Sequence, residues 1–178
     1  LETHMAELVA LCHQEAGKTI HDSIDEVREA VDFCRYYAKQ VHELAPMTTT
    51  SLSGEPQTVE RTGRGVFVCI SPWNFPLAIF LGQVTAALVA GNTVVAKPAE
   101  QTSLIAARAV ELMLKAGFPA GVIQRVPGLG SDIGHALTSH EAIAGVAFTG
   151  STATAQRINQ TLAERDVDPV PFIAETGG

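Results

Sequence analysis

Short apolar runs alternate with helical patterns from Gly65 onward, and this alternation constrains the fold more than any other feature of the sequence. Continuous apolar runs are typical of strands that are covered on both faces, as in parallel sheets. Strands are predicted at residues 66–70, 93–97, 122–126, 143–149 and 170–175. Helices are predicted at residues 76–90 and 103–116, from about Ser131 and from about Ser151. Repeated strand–helix–strand units predict an α/β fold with a doubly wound parallel sheet, preceded by a helical segment.

Charge is distributed unevenly along the chain. No charged residue lies between Arg64 and Lys97, and an uncharged stretch of that length can indicate a transmembrane helix. Pro72, Pro76 and Gly91 divide it into pieces too short to cross a bilayer, so we interpret it as strand, loop, helix and turn in a buried core. The formal net charge of −7 argues against nucleic-acid and anionic-membrane partners.

The N-terminus and the cysteines bear on the compartment. The chain begins with an acidic helical segment that lacks the basic start of a signal peptide. Three cysteines without C-x-x-C spacing indicate a reducing compartment, so we expect a cytoplasmic protein. Cys12, Cys34 and Cys69 are predicted to be small buried residues rather than nucleophiles. The six histidines show no metal-ligand spacing, and no metal site is predicted.

The first third of the chain is predicted to be helical. From Asp25, apolar residues recur at spacings of three and four along one face of an amphipathic helix, which Pro46 ends. Four charged residues lie off that face and are predicted to be solvated: Glu26, Arg28, Glu29 and Lys39. Residues 47–64 are rich in Thr, Ser and Gly and are predicted to form a linker and an extended arm. We therefore expect a helical segment at 1–46, this linker, and an α/β domain at 65–178 that is incomplete at its C-terminal end.

Polar residues and glycines follow the predicted strands, where a doubly wound sheet binds its ligands. Gly150-Ser151-Thr152 begins a helix whose free N–H groups suit a pyrophosphate, and an ordinary Ser or Thr N-cap is an equally good interpretation. Gly128-Leu129-Gly130 also opens a helix, but no acidic residue follows about twenty positions later to hold a ribose, so a tight turn explains it as well. Gly17-Lys18-Thr19 resembles the end of a phosphate-binding loop, but no strand precedes it, and we reject that interpretation.

Individual side chains at the strand ends have chemistry of their own. Lys97 and Glu100 together could hold two ribose hydroxyls, with Glu100 repelling an extra phosphate, whereas a lone strand-end lysine is usually only solvated. Asn74 is a rigidly placed amide that suits an oxyanion hole, and an Asx-turn or a helix N-cap ahead of Pro76 is the alternative. Glu175 is a candidate general base, and the alternative is a carboxylate without a role.

Four motifs, in this order and at these intervals, resemble the aldehyde dehydrogenase superfamily: Pro72-Trp73-Asn74-Phe75-Pro76, Lys97-Pro98-Ala99-Glu100, Phe148-Thr149-Gly150-Ser151-Thr152 and Glu175-Thr176-Gly177-Gly178. Glu15-Ala16-Gly17-Lys18-Thr19 and Arg35-Tyr36-Tyr37 are similar to one branch of it. That branch is the L-glutamate γ-semialdehyde (pyrroline-5-carboxylate) dehydrogenase part of the bacterial bifunctional proline-utilisation flavoproteins. The resemblance covers essentially the whole chain.

The resemblance implies a Rossmann-like cofactor domain and a role for each matching residue. Asn74 would stabilise the oxyanion formed when a thiolate attacks the aldehyde, and Glu175 would activate the water that hydrolyses the thioester. The implied cofactor-binding residues are Ser71, Trp73, Lys97, Glu100, Gly130, Thr149, Gly150, Ser151 and Gly177. The implied cofactor is NAD, with FAD on a separate domain of the parent protein, and the implied partners are a small aldehyde and further copies of the parent in a homo-oligomer.

The sequence also departs from the family pattern. Ala155 stands where many members have a second glycine of the phosphate turn, and Thr176 replaces the commoner leucine. The family's nucleophilic cysteine lies on a separate domain beyond the Glu-x-Gly-Gly motif, and no cysteine of this chain occupies that position. We therefore expect the cofactor-binding part of a dehydrogenase, inactive without a C-terminal catalytic domain. A stand-alone, non-catalytic nucleotide-binding or scaffold module is the alternative.

Overall fold

The computed structural model describes residues 1–43 and 45–177. The α-helices are α1 (Met5–Ala16), α2 (Ile20–Glu43), α3 (Ala78–Val89), α4 (Ser103–Lys115), α5 (Gly130–Ser139) and α6 (Thr152–Ala163). The strands are β1 (Met47–Thr50), β2 (Pro56–Val59), β3 (Val66–Ile70), β4 (Thr93–Lys97), β5 (Ile123–Arg125), β6 (Ile143–Gly150) and β7 (Phe172–Thr176). Short 3-10 turns at Glu2–His4 and Glu100–Thr102 precede α1 and α4.

The centre of the fold is a parallel sheet of five strands in the order β5-β4-β3-β6-β7. Each of α3, α4, α5 and α6 connects two consecutive strands of this sheet. The chain therefore winds outward from β3 in one direction and then returns to continue from β6 in the other, so that β3 and β6 are neighbours at the switch point. The predicted α/β class and the doubly wound parallel sheet are confirmed.

Helices cover both faces of the sheet. One core packs α3 and α4 on side chains such as Cys69 and Ala96, with α1 and α2 outside them, because α2 packs on α3 and α1 packs on α4. The second core, around Val68 and Val146, includes Ala155 and Ile158 of α6. Alternate residues of β3 thus enter opposite cores, as the period of a strand requires. This burial confirms that the strands and the helix of the uncharged stretch belong to the core, whereas its loop at residues 73–75 is exposed. No helix of the described residues is long and apolar enough to cross a membrane.

The segment predicted as a linker and an extended arm contains an antiparallel hairpin. β1 pairs with β2, and all residues of both strands are exposed. The hairpin lies outside both apolar cores. The division of the chain at residues 46 and 64 stays a prediction.

The N-terminal helices form a hairpin that turns at Gly17, whose φ of 65° lies in the left-handed region that glycine adopts without strain. The Asp22 N–H donates to Thr19 Oγ1, which caps the start of α2. The prediction that Glu26 is solvated is wrong, because this carboxylate is only 1% exposed. It lies off the apolar stripe of α2, but the first turn of α3 covers it.

Candidate active site

A cleft of about 1240 Å³ lies at the edge of the sheet where the strands end. The strand register brings the candidate residues into line there, because Ile70 pairs with both Lys97 and Phe148, and Thr149 pairs with Glu175. All eleven residues proposed from the sequence line this cleft: Ser71, Trp73, Asn74, Lys97, Glu100, Gly130, Thr149, Gly150, Ser151, Glu175 and Gly177. The structure brings them together, while the role of each one stays a prediction.

Lys97 is a buried ammonium group at the end of β4. Only 5% of the Lys97 surface is exposed, so the alternative interpretation of a solvated lysine is wrong. Nζ donates to the Pro98 carbonyl at 3.1 Å and lies 3.5 Å from Glu100 Oε2. Because an ammonium has three N–H donors, one remains for a ligand in the cleft. Lys97 and Glu100 are therefore placed to bind two neighbouring hydroxyl groups, one by donating and the other by accepting.

The N-termini of α3 and α4 are both occupied by carboxylates from the N-terminal hairpin. Glu26 Oε1 accepts from the N–H groups of Leu77 and Ala78, at 2.8 and 3.3 Å. Glu15 accepts from the N–H groups of Leu104 and Ile105, at 2.9 and 2.7 Å. A negative charge suits the positive end of a helix, so these contacts stabilise both helix starts. They also take up the positions where an anionic ligand would bind.

The N-termini of α5 and α6 line the cleft without such a carboxylate, at Gly130 and Ser151. Ser151 is the N-cap of α6, and its Oγ accepts from the Thr154 N–H at 3.3 Å and donates to Thr154 Oγ1 at 2.9 Å. The predicted N-cap at Ser151 is thus confirmed. It is compatible with anion binding, because the first N–H groups of α6 have no acceptor within the helix. A pyrophosphate in the cleft could therefore accept hydrogen bonds from the N-terminus of α6.

Two polar side chains lie at the switch point between β3 and β6. Gln83, on α3, donates from Nε2 to the Ile70 carbonyl at 3.2 Å and to Thr149 Oγ1 at 3.0 Å. Ser71 follows β3 and is buried, and its Oγ has no hydrogen-bond partner among the described residues. A buried hydroxyl without a partner is costly, and a ligand in the cleft would satisfy it.

Asn74 lies on the loop between β3 and α3, exposed to the cleft. The alternative of a helix N-cap is wrong, because Leu77 is the N-cap of α3 and Glu26 accepts the first N–H groups. Within residues 1–43 and 45–177, the side chain of Asn74 makes no hydrogen bond, while its carbonyl accepts from Lys18 Nζ at 3.0 Å. Its amide is therefore available to a substrate.

Glu175 and Trp73 line the cleft and are both exposed. Glu175 is on β7, the edge strand of the sheet, and Trp73 is on the loop after β3. An exposed carboxylate and an exposed aromatic ring are both open to a bound molecule.

The cysteines are unsuited to nucleophilic attack. Burial raises the pKa of Cys69 to about 12, and burial, reinforced by Glu26, raises the pKa of Cys12 to about 12. Burial also raises the pKa of the half-buried Cys34 thiol. Since the thiolate is the reactive form, these thiols are inert at neutral pH. Cys12 and Cys69 belong to the apolar core, as predicted, whereas Cys34 is half-buried and lies outside both cores.

Four residues that support the cleft were not predicted from the sequence: Glu15, Lys18, Glu26 and Gln83. One signal could have found the glutamates. The starts of α3 and α4 lack a side-chain cap of their own, which a buried helix start must obtain from elsewhere in the chain. The sequence contains no comparable signal for Gln83, because its contacts depend on how α3 lies on the sheet.

The whole chain matches one family of enzymes. Residues 1–178 match the Aldehyde dehydrogenase family. The chain belongs to the aldehyde dehydrogenase family. Bifunctional protein PutA of Klebsiella aerogenes is 51% identical over all of this chain and 13% of its own length. A 1-pyrroline-5-carboxylate dehydrogenase of Bacillus mycoides is 42% identical over 97% of this chain and 34% of its own length.

Solved aldehyde dehydrogenase-type structures show the same fold. A crystal structure of proline utilization A (PutA) from Bradyrhizobium japonicum superposes with a TM-score of 0.96 and 56% identity, over 99% of this chain and 18% of that one. The resemblance inferred from the four motifs is confirmed at the level of the family and of its PutA and pyrroline-5-carboxylate dehydrogenase relatives. The chain covers between 13% and 34% of the length of these relatives.

Proposed function

We propose that this chain is the NAD-binding part of an aldehyde dehydrogenase that oxidises L-glutamate γ-semialdehyde to glutamate in proline catabolism. One observation carries the proposal. A chain that aligns over its whole length with PutA gathers every residue expected from the family motifs along one cleft. The alternative of a stand-alone scaffold module has no comparable support among the described contacts.

The cleft fits a nicotinamide dinucleotide. Its volume is about 1240 Å³, larger than the roughly 300–1,000 Å³ of sites for drug-sized molecules. Lys97 and Glu100 would bind the adenosine ribose, and Ser151 with the N-terminus of α6 would bind the pyrophosphate. The partnerless Ser71 hydroxyl would gain a hydrogen bond. When bound, NAD supplies the hydride acceptor. The flavin that the resemblance implies belongs, in this proposal, to another domain of the parent protein.

Asn74 and Glu175 would act on the substrate. Asn74 would donate its amide N–H to the aldehyde oxygen as negative charge develops there, which favours the transition state of thiolate attack. Glu175 would accept a proton from the water that hydrolyses the thioester. The thiolate itself would come from another part of the parent protein, because burial raises the pKa of all three thiols described above. Residues 1–178 alone should therefore show no turnover.

The experiment uses the full-length parent protein and separates the two polar residues. Asn74→Ala should slow the first turnover by about 10²–10³, whereas Glu175→Gln should preserve the NADH burst and suppress steady turnover. Asn159→Ala and Glu29→Gln are matched controls, because both residues are exposed and lie outside the cleft. A wild-type protein that does not oxidise the semialdehyde contradicts the proposal. Loss of the burst in Glu175→Gln contradicts the assignment of Glu175.

A further inference from the structure

Lys18 and Glu26 form an ion pair in the interior of the N-terminal hairpin. Lys18 Nζ lies 2.5 Å from Glu26 Oε2, and the two side chains are 12% and 0% exposed. The function proposed above uses neither residue. The sequence around Lys18 does not fit a phosphate-binding loop, and Glu26 was wrongly predicted to be solvated. A buried pair of this kind requires an explanation, because desolvation offsets much of the attraction and makes such pairs a weak source of stability.

The pair contacts the loop before α3 at Asn74 and at the residues that follow it. Lys18 Nζ donates to the Asn74 carbonyl at 3.0 Å and lies 3.9 Å from the centre of the Phe75 ring, a cation–π distance. Glu26 holds the N–H groups of Leu77 and Ala78 through Oε1. One lysine and one glutamate therefore fix the backbone at Asn74 and at the following helix start.

These contacts leave the Asn74 side chain free while its backbone is held. An oxyanion donor works only when it is already aimed at the position of the developing charge. A displacement of about 1 Å in a reacting group can lower the rate by about 10²-fold. The exposed loop at Asn74 has no other described side chain that hydrogen-bonds its carbonyl, so its position depends on Lys18, and the position of Lys18 depends on Glu26.

We propose that Lys18 and Glu26 are positioning residues that act on the reaction through Asn74. This inference rests on the proposed function, since it requires Asn74 to be an oxyanion donor. The ion pair holds the loop so that the Asn74 amide faces the substrate. It contacts neither Lys97 and Glu100 nor Ser151, the residues proposed above to bind the ribose and the pyrophosphate. Loss of the pair should therefore lower kcat and leave the affinity for NAD unchanged.

A double-mutant cycle in the full-length protein tests this coupling. Lys18→Met should lower kcat by roughly 10–100-fold, as expected for a displaced donor, with the dissociation constant of NAD unchanged. In the Asn74→Ala background, Lys18→Met should cause no further loss, because the group through which it acts is absent. Lys18→Arg keeps a cation that can donate to the same carbonyl and should restore part of the rate.

Arg108→Met is the matched control. Arg108 also makes a partly buried ion pair, with Glu7, and it joins α1 to α4 away from the cleft. This change should lower thermal stability without lowering kcat once the protein is folded. If Lys18→Met fails to fold, Glu26→Gln decides in its place, since its amide oxygen still accepts from the N–H groups of α3 while the charge is lost.

The outcomes separate the two proposals. Semialdehyde oxidation by the wild type together with unchanged kcat in Lys18→Met and Glu26→Gln overturns the positioning role alone. Independent losses in the double variant, whose fold-changes multiply, also overturn it and assign the pair to general stability. An inactive wild type overturns the proposed function. A loss of kcat that is absent in the Asn74→Ala background supports the positioning role.

Discussion

Replacing Glu100 with glutamine should shift the cofactor preference of the parent enzyme from NAD toward NADP. Glu100 Oε2 lies 3.5 Å from Lys97 Nζ, at the place proposed for the adenosine ribose. NADP carries an additional phosphate on that ribose, which would come close to the carboxylate. Glutamine keeps an oxygen that accepts from a hydroxyl but removes the negative charge. The substitution therefore separates the repulsion between the carboxylate and the phosphate from the hydrogen bond to the ribose hydroxyl.

The magnitude follows from the surroundings of the carboxylate. Two unit charges about 4 Å apart interact by about 1 kcal/mol in water and about 4 kcal/mol near a protein surface. The Glu100 side chain is 40% exposed and faces the positive Lys97, and both conditions weaken the repulsion. We therefore expect about 1–3 kcal/mol, or roughly a 5–150-fold rise in kcat/KM for NADP. The value for NAD should fall by less than about tenfold.

The assay compares kcat/KM for both cofactors in the wild type, Glu100→Gln and Glu164→Gln. Glu164 lines the same cleft at the end of α6, so its replacement makes the same charge change away from the ribose position. The ratio of the two kcat/KM values should change only in Glu100→Gln. Equal use of NAD and NADP by the wild type, or equal shifts in both variants, would refute the role of Glu100.

Three further predictions concern binding and stability. Lys97→Ala should weaken NAD binding in calorimetry by one to two orders of magnitude, because a buried donor worth about 1–3 kcal/mol is lost; an unchanged affinity would remove Lys97 from the site. Gly145→Ala should destabilise the fold in urea unfolding by about 1–3 kcal/mol, since its Cβ would lie 2.3 Å from a ring atom of Phe67; Gly121→Ala, with open space around it, is the control. The pKa of Cys69 is about 12 in the folded protein, against an ordinary value of 9.0. Above pH 9 the unfolded chain loses this proton while the folded chain keeps it, so stability should fall by about 1.4 kcal/mol per pH unit until pH 12. Cys69→Ala should remove that part of the pH dependence, and an identical dependence in the variant would contradict the argument.

The local pattern of the sequence was sufficient to predict the architecture and the residues that line the cleft. Apolar runs separated by helical spacing predicted the five strands of the sheet to within two residues at each end. Parallel strands end at one edge, so the polar residues that follow them had to meet there. Asn74, Lys97, Ser151 and Glu175 could therefore be grouped before any contact was known. The start of α3 was less well predicted, because Pro76 precedes the helix rather than opening it.

Tertiary structure alone decided what surrounds each of these residues. The spacing along α2 shows which side chains share a face of the helix, but not which element covers the other faces, so Glu26 was misjudged. Lys18 is 56 residues from Asn74 in the chain, and Glu15 is 89 residues from Leu104. Helical and strand periodicity describes neighbours only a few residues apart. Contacts over such separations form when the N-terminal hairpin packs against α3 and α4. This packing places the carboxylates of Glu15 and Glu26 at the helix starts and the ammonium of Lys18 against the loop of Asn74.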